Sequence, residues 1–206
     1  MSLPTTLRFA ELNPVAWRNG GGITRVVACQ VGAEPPGWRI SIAELDKAGP
    51  FSVIPEVTRH FTVIGDQPVT LLFSKQCAVL APHESVTFDG ETAVSCLLPN
   101  GPSRALNVMY QPQNWQARVT WLVAGEPFMR NLHADTLLFA IGGRAWMTDH
   151  LSHPSSLPLH NAALHIASGD AWYWPGASLS NASEAPIMLA ITPHARLCKV
   201  ELQPRA

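Results

Sequence analysis

The 206-residue chain carries a formal net charge of -1, with 47% hydrophobic and only 14% charged residues, a balance that excludes a disordered polypeptide. Its 14 basic residues are scattered along the sequence, which argues against the concentrated cationic footprint that nucleic-acid binding requires. No basic segment followed by a long apolar run opens the chain, and no stretch approaches membrane-spanning length, so a cytoplasmic protein with no membrane partner is expected.

The 18 prolines and 14 glycines interrupt the chain too often for long helices, because proline lacks the amide hydrogen and clashes in a helix interior. Short strands fit instead. They are expected at Ile23–Val31, Trp38–Leu45, His60–Ile64, Val69–Phe73, Val86–Phe88, Ala93–Leu98, Leu106–Tyr110, Arg118–Leu122, Leu137–Ile141 and Ile187–Thr192. Many such runs separated by turn residues indicate an all-β sandwich or barrel.

An internal duplication is expected. Phe61-Thr62-Val63-Ile64-Gly65-Asp66 is echoed by Leu138-Phe139-Ala140-Ile141-Gly142-Gly143, and Phe88-Asp89-Gly90 stands where Trp174-Pro175-Gly176 stands later. The order of events repeats on the scale of one small barrel. The polar stretch Tyr110–Asn114 is the best boundary, giving expected domains 1–113 and 114–206. Cys29, Cys77, Cys96 and Cys198 are widely separated and contain no redox or zinc pair, so reduced, mostly buried thiols are expected.

Trp17-Arg18-Asn19-Gly20-Gly21-Gly22-Ile23-Thr24 is the most unusual segment. Successive glycines allow positive φ angles, and consecutive amides in such a loop can converge on an anion. Trp17 and Asn19 would add a flat face and a hydrogen-bonding edge. A tight loop feeding the next strand explains the same residues equally well.

In Trp38–Ala43, period two puts Trp38, Ile40 and Ile42 on one face and Arg39, Ser41 and Ala43 on the other, which is either plain surface or a barrel lumen. Arg59 shares a face with Phe61 and Val63. An inward arginine needs a partner, because an unpaired buried charge is costly and its planar fork matches a carboxylate in two-point contact. The partner is either internal, from Asp89, Glu91 or Glu44, or the carboxylate of a ligand.

No set of histidines and glutamate with metal-ligand spacing is present. Gly169–Gly176 resembles the strand-and-turn scaffold of the second cupin motif, without a histidine at the ligand position. His150, His153, His160 and His165 form the densest histidine cluster, but they sit among serines and prolines and read as a solvated loop more readily than as a metal site. No nucleophile elbow or activated cysteine is evident.

The Trp-x-Asn-Gly-Gly-Gly-x-Thr stretch, Trp17 to Thr24, resembles the leading signature of the HutD/Ves family. Further blocks follow in the family's order: Trp38–Ala43, Gly49-Pro50-Phe51-Ser52, Pro55 with Arg59, Phe88-Asp89-Gly90-Glu91 and Asn107-Val108-Met109. Two departures stand out. Glu56 occupies a position where the family often has glycine, and Ala105 and Leu106 stand where an acidic residue commonly precedes Asn107.

The resemblance implies a bicupin, two cupin-like β-barrels of the RmlC type packed together, with no cofactor. It also implies a role in histidine utilisation through a small anionic ligand such as urocanate, or else a stress-associated function in the Ves branch. In that reading Arg59, helped by Arg39, holds the carboxylate while Trp17, Asn19, Ser41 and Asn107 shape the pocket. Gly20, Gly21, Gly22, Thr24 and His60 complete the candidate ligand-binding set.

Two rival expectations are a metal-free cupin enzyme using His60 as acid or base, and an interaction protein with a vestigial pocket. Free sheet edges would also suit a homodimer.

Overall fold

A computed structural model describes residues 3–33, 35–122, 129–148, 165–176 and 187–205. Among these, the chain forms strands and a single 3-10 turn, Phe9–Glu11, with no α-helix. The strands are β1 (Thr5–Leu7), β2 (Pro14–Ala16), β3 (Gly22–Cys29), β4 (Trp38–Leu45), β5 (Gly49–Pro50) and β6 (Thr58–Val63). They continue with β7 (Val69–Leu72), β8 (Cys77–Leu80), β9 (Ser85–Asp89), β10 (Ser95–Leu97), β11 (Ser103–Tyr110) and β12 (Trp115–Leu122). The last six are β13 (Asp135–Ile141), β14 (Arg144–Thr148), β15 (His165–Ala167), β16 (Ala171–Trp174), β17 (Met188–Ile191) and β18 (Arg196–Pro204).

Each of the ten strands expected from sequence coincides with an observed one. The first ends at Cys29, short of Val31, because the chain turns through Gly32 at φ 80°.

The chain divides into two compact units, Leu12–Gln116 with Arg205–Ala206, and Met1–Glu11 with Ala117–Pro204. The division after residue 113 expected from the polar linker thus falls three residues later. The first eleven residues belong to the other unit, because β1 pairs antiparallel with β16, Thr6 opposite Trp172. The carboxylate of Asp170 secures this arm, accepting from Arg8 Nη1 at 2.7 Å and from the Phe9 amide at 3.0 Å.

The amino-terminal unit has a six-stranded sheet ordered β2-β3-β4-β11-β6-β9 and a four-stranded sheet ordered β5-β10-β7-β8. The other unit has a five-stranded sheet, β1-β16-β13-β18-β12, and a three-stranded one, β15-β14-β17. The run β4-β11-β6-β9 in the first matches β12-β18-β13-β16 in the second, and β8-β7-β10 matches β15-β14-β17. The repeat holds to single-residue register: Arg59 lies opposite Phe88 as Thr136 lies opposite Trp174. Both units are cupin-like, and the fold is all-β.

In the amino-terminal unit the inner face of the large sheet supplies Ala43, Leu45, Phe61, Val63 and Ala105, which pack on Val69, Leu71 and Leu80 of the small sheet. Burial of the larger of these side chains, the valines, leucines and Phe61, is worth roughly 1.5–3 kcal/mol each and fixes the barrel. In the second unit Trp172 and Trp174, with Leu138, Ala140 and Leu197, fill the equivalent interior.

The thiols differ from expectation at one position. Cys96 and Cys198 are buried, with burial pushing their pKa values up to about 11 and about 12, and Cys29 is half-buried, but Cys77 is exposed on the edge strand β8. Among the described residues no helix is long and apolar enough to cross a membrane.

Candidate functional site

The strand registers of the large sheet place the candidate side chains in ordered rows, since residues directly opposite on neighbouring strands share a face. Arg39, Met109 and Arg59 form one row across β4, β11 and β6, which Phe88 extends on β9. Ser41, Asn107 and Phe61 form the next row, and Ala43, Ala105 and Val63 the one after. The inner face is therefore closed by apolar packing at its Val63 end and open at its arginine end. Arg39, Ser41 and Ala43 face this interior, which settles the choice between lumen and plain surface.

At the open end lies a cavity of about 740 Å³, floored by Arg39, Ser41, Arg59, Asn107 and Met109. Its walls come from Val15–Asn19, from Thr24 and from the segment carrying Phe51, Ser52 and Ile54. This is within the usual size of a small-molecule site.

Arg59 is 6% exposed, and its Nη2 donates to Asn107 Oδ1 at 3.2 Å. Its guanidinium lies 4.8 Å from the Phe51 ring centroid and 5.2 Å from that of Phe88, so aromatic faces replace part of its lost hydration. Its Nε is buried with no hydrogen-bond acceptor. None of the internal carboxylates weighed from sequence reaches it: Glu44 binds Arg25 at 2.7 Å, and Asp89 Oδ1 accepts from the Glu91 amide.

Among the described residues, then, Arg59 has no ion-pair partner. Burial, and secondarily the charge of Arg39, lower its pKa from 12.5 to about 10, leaving it cationic at neutral pH. Such a floor presents donors and positive charge, and its chemical complement is an anion.

The glycine loop is a tight turn and not an anion nest. Trp17 N donates to Gly22 O and Gly20 N to Trp17 O, while Gly21 N donates to Asn19 Oδ1, so the amides of Gly20 and Gly21 are spent inside a tight turn between β2 and β3. Gly20 takes φ 64°, and a Cβ on Gly22 would stand 2.2 Å from Glu44 O, which explains glycine at both positions.

Asn19 Nδ2 reaches Pro50 O at 3.4 Å and clips the turn to the Phe51 segment. Trp17 is held by its Nε1 donating to Thr24 Oγ1 at 2.7 Å and by an edge contact with Phe51. Gly20, Gly21 and Gly22 therefore support the wall without lining the cavity, whereas Trp17, Asn19 and Thr24 line it.

His60 is separated from these residues. Alternation turns it to the opposite face of β6 from Arg59, where its Nδ1 meets Thr87 Oγ1 at 2.7 Å and desolvation lowers its pKa. It cannot serve as acid or base in the cavity, because the strand itself stands between. His150, His153 and His160 lie outside the described residues, and His165 is exposed on β15. Among the described residues no group of His, Cys, Asp or Glu is placed to hold a metal ion.

Sequence reasoning missed Phe51, Phe88 and Met109 as site residues. Met109 was legible, since period two from Asn107 puts it on the inner face. Phe88 and Phe51 required the register of β9 and the path of the loop after β5.

This geometry defines a cupin-type protein with an arginine-floored cavity in one of its two barrels. The HutD family model matches residues 10–182, and the chain belongs to the HutD/Ves family. An uncharacterized 21.2 kDa protein from the region 3' of hutC in Pseudomonas putida is 34% identical over 143 residues, which cover 68% of this chain and 75% of the relative. Protein Ves of Cronobacter sakazakii is 33% identical over 140 residues, covering 67% and 76%. The structure of HutD from Pseudomonas fluorescens SBW25, described as a formate condition, superposes with a TM-score of 0.79 at 26% identity and covers 98% of this chain and 99% of its own.

Proposed function

We propose that this protein binds urocanate or a related carboxylate intermediate of histidine breakdown in the cytoplasm and, by holding it, limits the output of that pathway. The observation that carries the reading is Arg59: a buried cation without a carboxylate partner among the described residues, facing a cavity large enough for a small planar acid. The carboxylate would take the vacant donors of Arg59 and Arg39 in charge-assisted hydrogen bonds. The imidazole would lie toward Ser41, Asn107 and the edge of Trp17.

No bond is broken in this scheme. Ligand held at the floor is withdrawn from solution, and occupancy reports its concentration. Similarity to proteins named for the hut region supports the histidine-pathway setting, and a comparable similarity to proteins named Ves keeps the stress-associated alternative beside it.

Isothermal titration of urocanate into the purified chain tests the proposal. Saturable binding that is lost in Arg59→Ala upholds it. Unchanged affinity in that variant would remove Arg59 from its role, and turnover of the ligand would replace sequestration with catalysis.

A further inference from the structure

Met109 stands at the centre of the cationic row, directly opposite Arg39 on one neighbouring strand and Arg59 on the other. Its Sδ accepts a hydrogen bond from Arg39 Nη2 at 3.4 Å, the only hydrogen-bond partner of that guanidinium among the described residues, and the residue lines the cavity while remaining 9% exposed. A thioether is a weak acceptor, a poor match for two cations. Conversion to the sulfoxide would create a strongly polar oxygen at the position where the donors converge.

We propose that Met109 is an oxidation-sensitive site which, as the sulfoxide, occupies the arginine donors of the cavity from within and displaces the anionic ligand. The oxidant is hydrogen peroxide, which is small enough to enter the cavity. A sulfur lone pair attacks the distal peroxide oxygen, the O–O bond breaks, and the departing hydroxide takes the proton of the transferred oxygen to leave as water. Sulfur is oxidised by two electrons and the peroxide is reduced by two.

Either epimer has the same consequence. An oxygen added on the lone pair facing Arg39 takes over that guanidinium's hydrogen bond as a stronger acceptor after a small shift of the side chain, and one added on the other lone pair lies in the same row between Arg39 and Arg59. Reduction by a methionine sulfoxide reductase, with electrons from a dithiol that becomes a disulfide, restores the thioether. The ligand-displacement half of this inference rests on the carboxylate reading above; the reactivity half rests on the position of Met109 alone.

The test treats the full chain with hydrogen peroxide and follows each methionine by peptide mass spectrometry, with the exposed Met129 as internal reference. Met109 is expected to gain one oxygen at exposures that convert Met129, and more slowly when urocanate is saturating. Urocanate affinity is expected to fall at least about tenfold on oxidation and to return after reductase treatment. The affinity of Met109→Leu, whatever its starting value, should be the same before and after peroxide.

Met109 that stays reduced while Met129 is fully converted would overturn the inference, as would oxidised wild type that binds as tightly as before. Absence of urocanate binding by the untreated chain would strike the carboxylate reading instead. The inference would then be decided by the thermal midpoint of wild type relative to Met109→Leu, which should rise on oxidation as the new oxygen satisfies the guanidiniums; a fall or no change would overturn it.

Discussion

Arg39 and Arg59 flank Met109 across three adjacent strands, each one strand away from it and both on the inner face of the barrel. Two strand spacings place their backbones about 9–10 Å apart. Their like charges, set in a partly desolvated cavity, are a standing cost to the empty protein that an anion would relieve. Binding and stability should therefore oppose one another at this position.

Arg59→Met keeps volume and removes the charge. It should abolish urocanate binding while raising the stability of the empty protein by on the order of 1 kcal/mol. Chemical denaturation of variant and wild type in the absence of ligand checks the sign.

Asn107 accepts from Arg59, so Asn107→Asp would set a carboxylate against the guanidinium in place of an amide oxygen. The internal ion pair would compete with ligand. Urocanate affinity should fall about tenfold or more while the thermal midpoint rises. Titration calorimetry and a melting curve on one preparation give both values.

Glu56 adopts φ 60°, a left-handed conformation that costs a non-glycine residue about 1 kcal/mol. The departure from the glycine common in the family at this position thus leaves the turn intact and adds strain. Glu56→Gly should stabilise the fold by about 0.5 kcal/mol, the relief of strain being partly offset by the freer unfolded chain. Gly22→Ala should do the reverse and cost several times more, because the added methyl meets the backbone oxygen of Glu44. Urea midpoints of the two variants test both signs.

His60 resists protonation in the folded state because burial lowers its pKa from 6.5. The unfolded chain gains the proton first as pH falls through about 6.5, so stability should drop from there downward until the folded pKa is reached, and be flat in this group above pH 7. His60→Gln should flatten that slope. Unfolding free energies measured between pH 5 and pH 8 give the comparison.

Much of this architecture was legible in the sequence, and the physical reasons differ by element. Strand β4 announced itself by strict alternation, and the same alternation paired Arg39 with Ser41 on one face. β18 carries the same signal, since buried Cys198, Val200 and Leu202 alternate with Lys199 and Glu201, which form an ion pair at 3.0 Å on its other face. β1 escaped because three residues carry little pattern and their partner, β16, is far along the chain.

In the site, the inward direction of Arg59 followed from period two, but its lack of a carboxylate did not. Only the fold shows Glu44 committed to Arg25. From sequence the glycine loop fits either an anion nest or a tight turn. Its hydrogen bonds show a turn whose amides serve the chain itself.

The most direct test is a crystal structure of the protein soaked with urocanate. The carboxylate should lie on the cavity floor with an oxygen within about 3 Å of the Arg59 guanidinium. Urocanate bound with its carboxylate turned away from Arg59, or found only outside this cavity, would contradict the assignment.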